Sequence, residues 1–472
     1  MKIMFYLLLL SVLLNTGSNL FAQDVQTIQP NVDSSTEIVQ AENAHSLPDP
    51  IMVLPFVVLL IMIATGPIFY HHFWEKNYPK IAVLLGTITV VYYLLYLHDT
   101  HSLLHTAAEY FSFIALLASL FFASGGIMIK VDRKATPMFN VAILLFGAVI
   151  ANLIGTTGAS MLLIRPFLKI NQDRAKPYLI VFFIFVVSNI GGALTPIGDP
   201  PLFLGFLRGV DFFWFVENIW HIWLPTVILI LIIFYFIDSR NKSVESDREY
   251  TGKFEFKGAK NLIYLAIILL AVFIDPNVMS WVPNLSPSPI GLREIIQFTI
   301  VLLAYKTADR EILRYNEFDV EPIREVAFLF VGIFATMIPA LQLIAHEANL
   351  LGDKLTPGLF YWSTGLLSGV LDNAPTYLNF LSAALGKFGL NVNDISDVKE
   401  FQNAHALYLQ AISVAAVFFG AMTYIGNGPN FMVKSIVGRA GIRMPSFFTY
   451  IVKYSLPILI PVFIIVWAVF YL

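Results

Sequence analysis

The feature that most restricts this chain is a pair of interrupted apolar segments that repeat one another. Residues 188–207, SNIGGALTPIGDPPLFLGFL, set Gly, Pro, Asn, Thr and a carboxylate inside an otherwise apolar run. In hydrocarbon every backbone N–H and C=O must find its partner within the protein, so helix breakers survive there only where the opened backbone lines a protected cavity. An ionised Asp199 at the bilayer centre costs at least ~2.5 kcal/mol, which makes it a functional candidate. The segment from Gly191, GGALTPIGDPPLF, aligns without a gap to FGAMTYIGNGPNF from Phe419. Gly192 matches Gly420, Thr195 matches Thr423, Gly198 matches Gly426, Asp199 matches Asn427 and Pro201 matches Pro429. Interrupted apolar segments at matching places in two halves point to a binding site built from inverted repeats.

Composition sets the solvent. Of the 472 residues 57% are hydrophobic and 13% charged, with a mean hydropathy of +0.73, against about 25% charged in ordinary soluble domains. The fold class expected is an all-α polytopic membrane protein with two inverted-topology repeats, each holding a re-entrant hairpin and a broken transmembrane helix. A formal charge of −3 without a dense basic block excludes nucleic acid as a partner. The absence of cysteine removes disulfides, Cys-ligated zinc and thiol catalysis.

Met1-Lys2, an apolar run to Leu14 and a small residue before Gln23 describe a signal peptide over residues 1–22. That run is too short to cross ~30 Å of hydrocarbon. Residues 23–50 then form a polar extracytoplasmic tail, 51–238 the first membrane half, 239–259 a cytoplasmic linker and 260–472 the second membrane half. Spans are expected near 51–70, 80–97, 108–129, 179–208 (broken), 219–238, 260–275, 290–305, 325–343, 406–436 (broken) and 446–471. Two further apolar stretches, 137–168 and 357–388, carry ANLIGTTGAS and DNAPT at their middles, which suits the tips of re-entrant hairpins.

Charge gives the orientation. Loops holding Lys76, Lys80, Lys130, Arg133, Lys134, Lys169 and Arg174, the linker, Arg310, Arg314, Arg439 and Arg443 fall on one side, and Arg293, Lys354 and Lys399 on the other. This positive-inside bias has the first hairpin entering from the cytoplasm and the second from outside, and the expected location is the bacterial cytoplasmic membrane. Glu109 and Glu325, each before an apolar helix, read as solvated carboxylates at helix N-termini. Trp214, Trp220, Trp223, Trp281 and Trp362 read as interfacial belt aromatics, and His71, His72, His98, His101 and His105 as loop or membrane-edge side chains.

The candidate site gathers oxygen. Asp199 and Asp372 are the carboxylates at membrane depth. Around them stand Asn152 and Thr156 on the first tip, Asn189 and Thr195 on the first broken helix, Asn373 and Thr376 on the second tip, and Thr423, Asn427 and Asn430 on the second broken helix. Hard oxygen ligands suit Na⁺ or Li⁺ rather than soft transition metals. Burial favours the neutral form of a carboxylate and a bound cation favours the charged form, so such a group can trade a proton for an alkali ion. The expected activity is exchange of Na⁺ or Li⁺ for H⁺, with no catalytic residue and no cofactor beyond the transported ions.

The same residues carry a family likeness. TPIGDPP after SNIGG, DNAPT on a hairpin and GAMTYIGNGPN near the end resemble the ion transporter superfamily, most nearly its NhaD-type sodium/proton antiporters and the related citrate transporters. The likeness covers most of residues 50–472. It implies a scaffold and a transport domain, a homodimer, and a cation clasped by each hairpin tip with its neighbouring broken helix. Antiporter relatives often carry Asp-Asn at the first tip, where this chain has Ala151-Asn152. A Na⁺-coupled citrate or dicarboxylate symporter is the other transporter reading. An intramembrane aspartyl protease fails because Pro196 stands where its GxGD sequence needs Gly, and HEANL from His346 lacks the second histidine of a zinc protease.

Overall fold

The computed structural model describes residues 47–241, 250–276, 279, 281–282 and 290–472. The signal peptide, nearly all of the tail and the middle of the linker lie outside the described residues. In order the chain forms α1 (Leu54–Phe69), α2 (His71–Leu97), α3 (Thr100–Gly125), β1 (Met128–Val131), α4 (Pro137–Ile170), α5 (Pro177–Val186), α6 (Pro200–Leu207) and α7 (Trp214–Ser239). Then come β2 (Phe254–Lys257), α8 (Lys260–Val272), α9 (Leu292–Thr307), α10 (Arg310–Tyr315), α11 (Glu321–Leu351), α12 (Pro357–Ser368), α13 (Asn373–Lys387), α14 (Ile395–Ala404), α15 (Ala406–Phe419), α16 (Gly428–Arg439) and α17 (Phe447–Phe470). Among the described residues seven helices are long and apolar enough to cross a bilayer. The chain is a multi-pass helical membrane protein. Outward-facing Leu84, Leu270 and Val469 are exposed, as side chains meeting lipid tails should be.

Length alone would make α4 a span of about 50 Å at 1.5 Å per residue. Its ends nevertheless meet: Asn140 and Asn171 exchange side-chain amide hydrogen bonds of 2.8 Å. The reversal occurs at Gly155, whose φ of 77° and ψ of 155° are outside the helical region; only glycine takes such a conformation without penalty. The first interrupted stretch is therefore a hairpin with its tip at residues 152–157. The second is α12 and α13 joined through residues 369–372, with Phe360 and Phe380 in ring contact at 6.3 Å across its two arms. Both hairpins begin alike, since Thr136 and Thr356 cap helices whose first residue is proline. Proline lacks the N–H that would be orphaned there, and the threonine hydroxyl accepts another.

Each hairpin precedes a helix that breaks. After α5 the chain makes a 3-10 turn at Ile190–Gly192 and restarts as α6; after α15 it turns at Gly420–Met422 and restarts as α16. Asp199 and Asn427 precede the restarts with matching extended backbones, φ/ψ −142°/144° and −157°/141°. The nearly unbroken apolar runs PYLIVFFIFV and ALYLQAISVAAVFF put α5 and α15 in the core, buried on nearly every side.

The all-α expectation meets one small exception. β1 and β2 pair antiparallel, with Met128 opposite Lys257, and tie the linker to the end of α3. Here Lys130, Glu255, Lys257 and Glu311 form ion pairs at the end where sequence gathers the basic loops. α14 is a further helix, bent by 98° against the one that follows.

Candidate functional site

Four elements converge on one carboxylate. Asp199 is 1% exposed and both of its oxygens accept hydrogen bonds. Thr156 Oγ1 from the first hairpin tip donates to Oδ1 at 2.8 Å, Asn427 Nδ2 from the second break donates to the same oxygen at 2.8 Å, and Asn373 Nδ2 from the second tip donates to Oδ2 at 2.6 Å. All three donors are neutral and buried. Among the described residues no Lys or Arg is paired with Asp199.

The scaffolding of this point follows from the helix breakers. Opening a helix in a dry interior frees amide and carbonyl groups that must be re-paired. The first tip does so: Thr156 N–H donates to Gly198 O at 2.8 Å, Asn152 Nδ2 to Gly191 O at 2.7 Å, and Leu194 N–H to Asn152 Oδ1 at 2.9 Å. Thr195 Oγ1 donates to Asn152 O at 2.6 Å and accepts from Gly198 N–H. Gly198 leaves no room for more, because a Cβ there would lie 2.1 Å from Gly192 O.

The second half repeats the plan with different chemistry. Asn430 Nδ2 donates to Gly420 O and Thr423 O at 2.8 and 2.9 Å, and Thr423 Oγ1 accepts from Ile425 and Gly426 N–H. The two breaks also join each other: Asn189 Nδ2 donates to Asn430 Oδ1 at 2.7 Å, and Asn427 Nδ2 to Ser188 O at 3.2 Å.

The residues singled out by sequence therefore fall into three groups. Thr156, Asn373 and Asn427 meet at Asp199. Asn152, Asn189, Thr195, Thr423 and Asn430 bind the opened backbone that surrounds it. Asp372 stands apart: it is half-buried, and its Oδ1 accepts from Ala374 N–H at 3.0 Å as the cap of α13. Thr376 turns back to Asp372 O at 2.8 Å.

Three side chains differ from their sequence reading. Trp223 is buried, not part of an interfacial belt, and its Nε1 donates to Ile190 O and Gly191 O at 2.9 and 3.1 Å, a second donor for Gly191 O beside Asn152 and a further bond to the first break at Ile190 O. Trp214 is likewise buried, packed in the core. Glu109 is no solvated N-terminal carboxylate. α3 begins about two and a half turns earlier, at Thr100, and carries Glu109 into the interior beside Arg208. Arg208 carries no signal of this in the sequence, where a single arginine at the end of an apolar run looks like an interface residue.

A family model described as "Putative citrate transport" matches residues 45–471. The chain is also similar to an uncharacterized transporter of Mycobacterium bovis, 23% identical over 398 residues that cover 82% of this chain and 84% of the relative. An uncharacterized transporter of Mycobacterium tuberculosis matches to the same extent.

Proposed function

This chain belongs to the citrate transport family of that model, and from that premise we propose that it is a secondary active transporter whose cargo is Na⁺ (or Li⁺) moved outward against H⁺ moved inward. The family and its relatives are transporters, not enzymes. The observation that carries the finer reading is Asp199, a carboxylate removed from water and bonded by neutral donors alone. An uncompensated buried anion is costly. A proton or an alkali cation at Asp199 removes that cost, and either excludes the other.

Thr156, Asn373 and Asn427 hold Asp199 in place for both occupants. The alkali ion takes Asp199 oxygen together with carbonyl and hydroxyl oxygens of the tips and breaks, and Asp372 serves from the edge of the site. Alternating access follows if the hairpins and broken helices move against the surrounding spans, as inverted repeats of this kind do. The protein works in the bacterial cytoplasmic membrane as a homodimer.

A second reading, Na⁺-coupled uptake of citrate or a dicarboxylate, is favoured by the family description and by one feature of α16. Its N-terminus has no side-chain cap, and Gly428 there faces open space; helix N-termini attract carboxylates. The test is made in everted vesicles carrying a preformed pH gradient. Antiport predicts that added Na⁺ dissipates the gradient in the wild type but not in Asp199→Asn. An unchanged gradient together with Na⁺-dependent accumulation of labelled citrate replaces antiport with symport.

A further inference from the structure

Asp199 is the N-cap of α6 and Arg208 its C-cap. A helix of eight residues, a strut of about 12 Å, thus joins the central carboxylate to a guanidinium near one end of the molecule. Arg208 is 3% exposed and Glu109 5%. Arg208 Nη2 donates to Glu109 Oε2 at 2.7 Å, Nε lies against the other carboxylate oxygen, and Nη1 donates to Asn393 Oδ1.

The opposing wall is fixed. One turn along α3 from Glu109, Ser112 Oγ donates to Glu294 Oε1 at 2.7 Å and accepts from Arg293 Nη2 at 3.1 Å, which locks α3 to α9. Just past Arg208, Asp211 N–H and Oδ2 bond Gln402 of α14 at 2.7 and 2.6 Å. Beside the pair lies a small cleft lined by His101, His105, Gln342 and Asn393. A buried ion pair contributes little net stability when intact, but losing one partner strands a charge and is strongly unfavourable. Such a contact separates two positions of a helix sharply.

We propose that Glu109 and Arg208 are positioning residues, a latch that holds α6, and through it Asp199, in the place seen here, and that releasing it accompanies the change of access to the site. The motion rests on the transport reading; the latch itself does not. The chain has no cysteine, so a Gly428→Cys variant, at a position with open space around it, can be labelled alone with a membrane-impermeant maleimide. In that background the double variant Glu109→Leu/Arg208→Met removes the latch without stranding a charge.

The expected result is a fall in labelling rate of more than about threefold, as the population leaves the state seen here. A smaller fall, no change or a rise overturns the latch. If the double variant elutes as aggregate, Glu109→Gln is judged by the same threshold. Labelling requires no transported ion, so a failed latch leaves the antiport reading untouched, and failed exchange in vesicles leaves the labelling result standing.

Discussion

The two halves present the same backbone device with the charge in different places. In the first half the break carries the carboxylate, Asp199, and the tip is neutral; in the second the tip carries it, Asp372, and the break is neutral at Asn427. Their surroundings differ more than their sequences suggest. Asp199 is buried and collects donors from three other elements, whereas Asp372 is half-buried and bonds the first turn of its own helix. A repeated motif thus transmits a shape, while burial and the donors around each copy differ.

The sharpest way to break this comparison is to neutralise each carboxylate in turn. Asp199→Asn should reduce Na⁺-driven dissipation of a pH gradient to background, because no titrating group is left at the convergence of the four elements. Asp372→Asn should leave activity within about tenfold of wild type, since Asn caps a helix nearly as well as Asp. Equal losses would show the two sites to be equivalent after all.

Moving the charge sharpens it further. In Asp199→Asn/Asn427→Asp the carboxylate occupies the matching position of the other break but loses its bonds from Thr156 and Asn373. Exchange should stay below about one tenth of wild type in the same assay, given that hydrogen bonds to a charged group are worth about 1.5–3 kcal/mol each.

A smaller effect separates the glycines. Gly198→Ala would set a Cβ 2.1 Å from Gly192 O, while Gly428→Ala meets nothing within 4 Å. Thermal unfolding in detergent should register about 1–3 kcal/mol for the first, the usual cost of overpacking, and a few tenths at most for the second. Trp223→Phe removes the indole donor from Ile190 O and Gly191 O, and its effect falls between those of the two glycine variants. Gly191 O keeps Asn152 Nδ2 and Ile190 O keeps Ala193 N–H, so the loss should be that of an ordinary hydrogen bond, about 0.5–1.5 kcal/mol, with a lowered melting temperature as the readout.

The sequence by itself determined the solvent, both hairpins and both breaks. Apolar run length and helix-breaking residues act locally, so they can be read along the chain, and the gap-free match of residues 191–203 to 419–431 fixes which segments correspond. It also marked Thr156, Asn373 and Asn427, among other oxygen and amide side chains at membrane depth, as candidates. Only the tertiary structure decided that these three meet at Asp199 and not at Asp372, that Trp223 closes the first break, and that Glu109 faces Arg208. Each of those depends on contacts between residues 32 to 228 positions apart, and hydropathy or spacing within one segment contains no information about which distant segment will come to lie beside it.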